Sequence, residues 1–271
     1  MLRIRVLTAV VLAPLFVLGV FTLSELQFAV MTGLFVLVGA WEWTSLSGYN
    51  RVPPKVLSVA VVSLLMMSGY AYRDTVAQPV TFLACAAWLV VALLLFRHRH
   101  RHPMVWPRPV RWLCGACALL AAWLAISVLR EASPGAALML FLLVWAADVG
   151  AYFAGRRWGR HKLAPAISPG KTVEGLWGGI AAALVVAAAF ALHWDLSPGA
   201  AVGLTAWSVA VVLLSVFGDL FESNWKRTAE LKDSGGLLPG HGGVLDRIDS
   251  VMAAAPFFAL GWLWWFSAKL A

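Results

Sequence analysis

The stretch Trp112–Leu129, "WLCGACALLAAWLAISVL", contains no charged residue and is bounded by Arg111 and Arg130. A helix of this length can cross the hydrocarbon core of a bilayer, which needs about 20 apolar residues. Its apolar residues surround the helix and leave no polar face for water. The stretch therefore predicts a membrane-spanning helix.

The rest of the chain has the same character. Of its 271 residues, 61% are hydrophobic and only 13% are charged, whereas about a quarter of the residues in a soluble domain are charged. Division at charges, proline and glycine predicts about nine spanning helices, and hence an all-α, polytopic membrane bundle. The predicted spans are Val6–Phe21, Leu26–Leu46, Val56–Tyr72, Pro79–Phe96, Trp112–Leu129, Ala136–Phe153, Leu176–Leu192, Val202–Phe221 and Val251–Leu270. The basic, apolar start resembles a signal peptide but lacks a small-x-small cleavage site, so we expect a retained first span.

Basic residues predict the orientation of the bundle. If the N-terminus is cytoplasmic, all but three of the 21 Lys and Arg residues lie on the cytoplasmic side, and the exceptions are Arg73, Arg130 and Lys269. Basic loops resist translocation, and this asymmetry is the one that the positive-inside rule describes. We therefore expect a multi-pass protein of the inner (cytoplasmic) membrane, with its N-terminus in the cytoplasm.

The loop Arg97–Arg111, "RHRHRHPMVWPRPVR", alternates arginine and histidine. Either the histidines bind a metal ion, or the loop forms a basic collar on anionic lipid headgroups. No carboxylate or thiol accompanies the histidines, which favours the collar.

Three acidic residues lie inside predicted spans, and two of them are Asp148 in the sixth and Asp219 in the last turn of the eighth. A charged carboxylate in hydrocarbon costs about 2.5–3.5 kcal/mol even on permissive scales, so each needs a cation, a partner or a water-filled cavity. Glu42 is a third case. Because it lies near the cytoplasmic end of its span, we expect it to reach the headgroups without a further role.

Charge and glycine concentrate in Gly218–Ser250, "GDLFESNWKRTAELKDSGGLLPGHGGVLDRIDS". If the eighth helix continues out of the membrane, Asp219, Ser223, Lys226 and Glu230 fall on one of its faces. The following "GGLLPGHGG" predicts a tight loop whose backbone can approach a ligand closely.

The two helix ends that flank this loop are acidic. Asp219 ends one helix, and Asp246 and Asp249 share a face at the start of the next, where they can also act as capping groups. Converging carboxylates suit Mg²⁺, which prefers oxygen ligands and shares them with substrate phosphates. Phosphate oxygens can be bound by the nearby cations, which are Lys226, Arg227, Lys232 and Arg247. Such a set is typical of phosphoryl or nucleotidyl transfer, which depends on positioning and charge neutralisation.

A second glycine-rich segment, Ala146–Gly175, contains "SPGKT". A Walker A loop is excluded because Pro165 stands where its first glycine is required. We expect Ser168 and Pro169 to start a helix, with Lys171 and Thr172 in its first turn, where they would form an anion site.

The segment Ser223–Asp249, "SNWKRTAELKDSGGLLPGHGGVLDRID", resembles the signature of the phosphatidate cytidylyltransferases, also called CDP-diacylglycerol synthases. That signature is Ser-x-apolar-Lys-Arg, four residues, Lys-Asp, a stretch of small residues, and His-Gly-Gly-apolar-x-Asp-Arg-apolar-Asp. The chain departs from it at Trp225, where the family usually has an aliphatic residue or Phe, a change of packing more than of chemistry. "SPGKTVEG" also looks like the family's second motif, Ser-Pro-x-Lys-Thr-x-Glu-Gly. The resemblance covers Asp148–Ser250, and the earlier residues agree only in being hydrophobic.

The resemblance implies a reaction of CTP with phosphatidate that gives CDP-diacylglycerol and pyrophosphate and requires Mg²⁺. It also implies a homodimer in the lipid bilayer, and we expect no nucleic-acid partner. Residues 1–135 would be N-terminal transmembrane helices, and residues 136–271 the transmembrane catalytic region. The metal ligands would be Asp219, Asp246 and Asp249. Catalytic roles would belong to Asp219, Lys226, Arg227, Asp246 and Arg247. Substrate binding would involve Ser168, Lys171, Thr172, Ser223, Lys232, Asp233 and His241.

Some roles and functions remain open at this point. His241 either contacts a phosphate or braces the glycine-rich loop, and Asp148 and Asp233 are candidate partners of the lysines or the metal. A CTP-dependent lipid kinase would use similar groups on a different phosphate of CTP. An ion-coupled transporter would also explain Asp148 and Asp219, but it does not predict the basic, glycine-rich segment beyond them. The paired motif of the CDP-alcohol phosphotransferases is absent from the sequence.

Overall fold

The computed structural model describes residues 13–236 and 242–263. Within them the chain forms a helical bundle with one short β-hairpin, which confirms the predicted all-α, polytopic class. The helices are α1 (Ala13–Thr22), α2 (Glu25–Leu46), α3 (Val52–Ala71), α4 (Arg73–His98), α5 (Arg108–Ala132), α6 (Pro134–Trp158), α7 (Val173–His193), α8 (Pro198–Thr228) and α9 (Leu245–Gly261). The antiparallel strands β1 (Lys162–Ala164) and β2 (Ser168–Thr172) connect α6 to α7.

Seven of these helices, α2 to α8, are long and apolar enough to cross a membrane. Three of them begin at a serine whose hydroxyl accepts the N–H three residues on, namely Ser24, Ser133 and Ser197. Such caps satisfy the first free N–H groups of a helix, so the short polar breaks between spans become helix starts. The first and ninth predicted spans extend beyond the described residues.

The basic loops predicted to be cytoplasmic lie together at one end of the bundle. The guanidinium of Arg111 donates to the Leu46 carbonyl (3.5 Å), and the Ala166 N–H donates to the Arg99 carbonyl (3.2 Å). The opposite end has its own ion pair, between Nε of Arg73 and Oε2 of Glu131 at 2.7 Å. The spans therefore alternate in direction as the sequence predicts.

Helices α6 and α7 are packed through small residues. A side chain on Gly150 would overlap the Gly178 carbonyl, and one on Gly175 would lie 2.9 Å from the Ala151 carbonyl oxygen. Lipid supplies no hydrophobic force between helices, so spans associate by close backbone approach of this kind. The close packing of α6 and α7 fixes the hairpin that connects them.

Helix α9 lies at the centre of the bundle, where it packs against α2, α4, α5, α6 and α8. Nearly every described residue of this helix after its first turn is buried, including the small residues Ala253, Ala254 and Ala255. Its first turn therefore begins in the middle of the basic end, surrounded by the loops of the other helices.

Candidate active site

The hairpin differs from the prediction for "SPGKT". Ser168–Thr172 is strand β2 and not the start of a helix, because its backbone pairs with strand β1, with Thr172 opposite Lys162 and Ser168 opposite Ala164. Helix α7 starts at Val173, and the Thr172 hydroxyl caps it by accepting the Gly175 N–H (3.1 Å). Lys171 therefore extends from a strand toward the bundle.

The first ion pair of the site joins this hairpin to α8. Nζ of Lys171 lies 2.6 Å from Oδ2 of Asp219, and the two side chains are 24% and 28% exposed. The Ser223 hydroxyl, one turn further along α8, donates to Oδ1 of Asp219 (3.0 Å). Burial acts to lower the pKa of Lys171, but the facing Asp219 carboxylate outweighs it and holds the pKa above its usual value.

The second ion pair joins α8 to α9. Nζ of Lys226 lies 2.9 Å from Oε2 of Glu222 and 2.7 Å from Oδ1 of Asp246. The Lys226 side chain is 13% exposed and that of Glu222 only 1%. One ammonium thus pairs with two carboxylates that have been removed from water, and its single charge can neutralise only one of them.

The second carboxylate oxygen of Asp246 binds the ends of the glycine-rich loop. Oδ2 of Asp246 accepts the backbone N–H of Ser234 (3.0 Å) and that of Gly243 (2.8 Å). Gly242 has a positive φ of 81°, which favours glycine at this return of the chain into α9. Asp246 therefore fixes both the loop and Lys226.

Close contact between α8 and α9 completes the acidic cluster. A side chain on Gly218 would overlap the Asp249 carbonyl, so glycine is required for this approach. The Glu222 and Asp249 carboxyl groups adjoin, and Oε1 of Glu222 is buried without a hydrogen-bond donor among the described residues. Two adjoining buried carboxylates require a shared proton or a cation.

The chemistry of these donors is compatible with a magnesium ion, although the described residues form no ready-made cage. Within residues 13–236 and 242–263, no three His, Cys, Asp or Glu side chains are arranged to hold a metal ion. The carboxylates of the cluster nevertheless outnumber its two ammonium groups, on Lys171 and Lys226. Mg²⁺ is commonly bound through one or two carboxylates and substrate phosphates, so a preformed three-ligand cage is not needed.

The other predicted site residues lie around this cluster. Nε of Arg227 donates to the Ile167 carbonyl (3.3 Å), so this arginine joins α8 to the hairpin that carries Ser168. Lys232 and Asp233 are exposed after the end of α8, and Arg247 is exposed on α9. His241 lies outside the described residues.

Asp148 and Glu230 occupy different positions relative to the site. Asp148 is exposed on α6 and interacts electrostatically with Lys171, Asp219 and Arg247. Helix α8 ends at Thr228, so the predicted helical face does not reach Glu230, whose φ of 56° lies outside helical geometry.

Glu174 holds the base of the hairpin. Its Oε2 accepts the backbone N–H of Arg160 (3.0 Å), and its Oε1 lies 2.6 Å from Nδ1 of His161. It therefore orients β1 and β2, and through them Lys171, without touching the lysine.

Sequence reasoning missed Glu42 and Asn224. Glu42 does not reach the headgroups as predicted. It is 5% exposed and accepts hydrogen bonds from the loop before α9, because the loop folds over the end of α2. A carboxylate flanked by tryptophans in "WEW" was the available signal. Asn224 is fully buried and exchanges two hydrogen bonds with the Met104 backbone, at 2.8 and 3.2 Å, which ties the Arg97–Arg111 loop to α8.

Trp225 packs in the core beside the site residues of α8. It is fully buried, and its ring lies 5.1 Å from that of Trp106 and 5.9 Å from that of Phe221. The predicted role in packing is confirmed.

The arrangement suits chemistry between anions. Cationic and anionic groups from β2, α8 and α9 meet at the basic end of the bundle, with backbone N–H groups of a glycine-rich loop beside them. Fixed charges of this kind stabilise charge that develops on transferring phosphates. No nucleophile–base pair is needed when the attacking group is already an anion.

The chain matches the model of the Cytidylyltransferase family over residues 3–264. It is 41% identical over 261 residues to the phosphatidate cytidylyltransferase of Pseudomonas aeruginosa, with 96% of each chain covered. The phosphatidate cytidylyltransferase of Haemophilus influenzae is 37% identical over an alignment 286 positions long, which covers 96% of this chain and 98% of the relative. That of Staphylococcus saprophyticus is 47% identical over 122 residues, 44% of this chain and 45% of the relative.

Proposed function

Because the chain belongs to the cytidylyltransferase family, we propose that it is a nucleotidyltransferase that makes CDP-diacylglycerol and pyrophosphate from CTP and phosphatidate. The observation that carries the proposal is the meeting of two lysine–carboxylate pairs, from β2, α8 and α9, at the basic end of a membrane bundle. CTP is aqueous and phosphatidate is a lipid, so a charged site at the end of the spans gives access to both.

The reaction needs positioning more than acid–base chemistry. An oxygen of the phosphatidate phosphate attacks the α-phosphorus of CTP, the bond from that phosphorus to the bridging oxygen of the β-phosphate breaks, and pyrophosphate leaves with the electron pair. The attacking phosphate is ionised near pH 7, because its second pKa is about 6. The protein must therefore bring two polyanions together and compensate the leaving charge.

Roles follow from where the cations lie. Lys171 and Ser168 are on the hairpin and would bind phosphates of the nucleotide, together with Thr172. Lys226 and Arg227 lie about two turns beyond Asp219 on α8 and would face the reacting phosphates, with Arg247 on α9. Ser223, Lys232, Asp233 and His241 complete the proposed binding set.

Magnesium is part of the proposal, with Asp219, Asp246 and Asp249 as the residues that would hold it. Bound there, the ion would supply positive charge for the phosphate oxygens of both substrates. The carboxylate pair of Glu222 and Asp249 is compatible with this assignment, since a cation is one of the two ways, with a shared proton, in which such a pair can be accommodated. Lys171 and Lys226 already neutralise two of the carboxylates and would move toward phosphates as these enter.

The site would face the cytoplasm from the inner membrane, in a homodimer as the resemblance implies. The gathering of nearly all basic loops at the site's end of the bundle supports this orientation.

Product analysis tests the function. The purified protein, incubated with phosphatidate, Mg²⁺ and CTP labelled in the α- or the γ-phosphate, should place the α-label in lipid and release the γ-label as pyrophosphate. Release of CDP without pyrophosphate would instead identify a lipid kinase. Activity in detergent micelles, where no gradient exists, argues against transport as the primary role.

The same assay tests the metal proposal. Chelation by EDTA should abolish turnover and added Mg²⁺ should restore it, and Asp219→Asn and Asp246→Asn should each lower kcat at least about 100-fold with the fold retained. Exposed Asp195→Asn, in the turn after α7, is the matched control. Normal turnover in EDTA, or in both aspartate variants, would contradict the assignment of these ligands.

A further inference from the structure

Glu42 comes from the N-terminal part of the chain and reaches the loop of the site. It lies on α2, with 5% of its surface exposed. Its carboxylate accepts hydrogen bonds from the hydroxyl of Ser234 (3.1 Å) and from the backbone N–H groups of Val244 (3.1 Å) and Leu245 (2.8 Å). These donors stand at the two ends of the glycine-rich loop, so one side chain closes the loop at its base.

The loop is shaped to enclose this carboxylate. A side chain on Gly235 or on Gly243 would overlap the Glu42 carboxylate. Glycine at these two positions therefore allows the backbone to approach Glu42 from both sides.

Glu42 also takes the place of a local helix cap. Helix α9 has no capping hydrogen bond from the side chain at its N-cap position, Val244. The first N–H groups of a helix need acceptors, and a negative charge at this end is favourable. Glu42 supplies both, although it precedes α9 by about 200 residues.

The hydrogen bonds of Glu42 alternate with those of Asp246. At one end of the loop, Ser234 donates its hydroxyl to Glu42 and its backbone N–H to Asp246. At the other end, the Gly243 N–H donates to Asp246, and the N–H groups of the next two residues, Val244 and Leu245, donate to Glu42. Oδ1 of Asp246 in turn binds Lys226. A displacement of the loop base would therefore move both Asp246 and Lys226.

We infer that Glu42 is a positioning residue for cytidylyl transfer, which sets the geometry of Asp246 and Lys226 by closing the base of the glycine-rich loop. It touches no substrate in this role. The inference rests on the proposed function, and it adds a residue from outside the segments that carry the family resemblance.

The test compares Glu42→Gln and Glu42→Ala with Glu25→Gln, an exposed glutamate on the same helix. Mutation of a residue that orients a metal ligand typically lowers activity about 10–100-fold. We therefore expect Glu42→Gln to lower kcat within that range. KM for CTP should change less than about threefold, since the nucleotide-binding groups on the hairpin are untouched. Glu42→Ala should be more severe, because glutamine keeps an acceptor oxygen, and Glu25→Gln should match the wild type.

A structural role alone would lower the fraction of folded protein and leave kcat per folded molecule unchanged, and that result would overturn the inference. Folded protein is measured by gel filtration in detergent and by the melting temperature. Hydrogen exchange should be faster at the Val244 and Leu245 amides of Glu42→Gln. Unchanged exchange there would also count against the role.

If the Glu42 variants do not fold, Ser234→Ala keeps the inference testable. It removes one hydrogen bond to Glu42 and leaves the carboxylate in place. Its kcat should fall with the KM for CTP preserved, and a wild-type kcat would overturn the inference. An inactive wild-type protein would refute the proposed function itself, whereas an active wild type with fully active Glu42 variants would refute only the positioning role.

Discussion

Replacement of Lys226 by methionine tests whether one ammonium compensates the buried carboxylates of the site. Its Nζ lies 2.9 Å from Glu222 and 2.7 Å from Asp246. At an effective dielectric constant of about 20, a contact of this length contributes about 6 kcal/mol of attraction before desolvation is counted. The side chains are 13%, 1% and 10% exposed, so the pair is a buried one. Removing one partner of a buried pair costs about 3–5 kcal/mol net, because the remaining charge stays buried.

The melting temperature of the purified protein in detergent measures this cost. For a chain of this size about 2–4 °C is lost per kcal/mol, so Lys226→Met should melt roughly 6–20 °C lower than the wild type. Lys226→Met combined with Glu222→Gln should recover part of the loss, with a coupling of about 0.5–3 kcal/mol. Lys162→Met, at the exposed first residue of strand β1, is the control. A wild-type melting temperature for Lys226→Met, or a double variant no more stable than the single one, would refute the proposed compensation.

Two further variants test the packing of the bundle and the charge of the site. Gly115→Ala would push a methyl group into the indole of Trp43 and should destabilise the protein by about 1–3 kcal/mol. Gly69→Ala should not, because no atom of the described residues lies within 4 Å of its new methyl group. Equal melting temperatures for the two variants would contradict the close packing. Because the pKa of Lys171 is raised in the folded protein, its ion pair with Asp219 makes its full contribution to stability below the usual lysine pKa of about 10.4. That contribution is lost only as the pH rises through the raised pKa. The difference in melting temperature between wild type and Lys171→Met should therefore stay constant between about pH 7 and 9, and a difference that shrinks in this range would show that Lys171 titrates lower.

The sequence by itself determined the class of the protein and the chemistry of its site. Spans such as Trp112–Leu129 have no polar face, so they must be surrounded by lipid or by other helices. Their helical structure follows because a bilayer leaves no other partner for backbone groups. The positions of Asp219 and Lys226 on one helix face also follow from local periodicity. Seven spans and the family were predictable because they depend on composition and local spacing.

Only the tertiary structure decided which charges meet. Lys171 pairs with Asp219, and Lys226 with Asp246, because Gly218 lets α8 approach α9 and because α6 and α7 hold the hairpin against them. Glu42 could not be assigned from its surroundings in the sequence, since its hydrogen-bond partners lie about 200 residues away. A charged residue in a span must find a partner. The sequence shows that Glu42 needs such a partner, but the packing of α2 against α9 decides which groups serve as its partners.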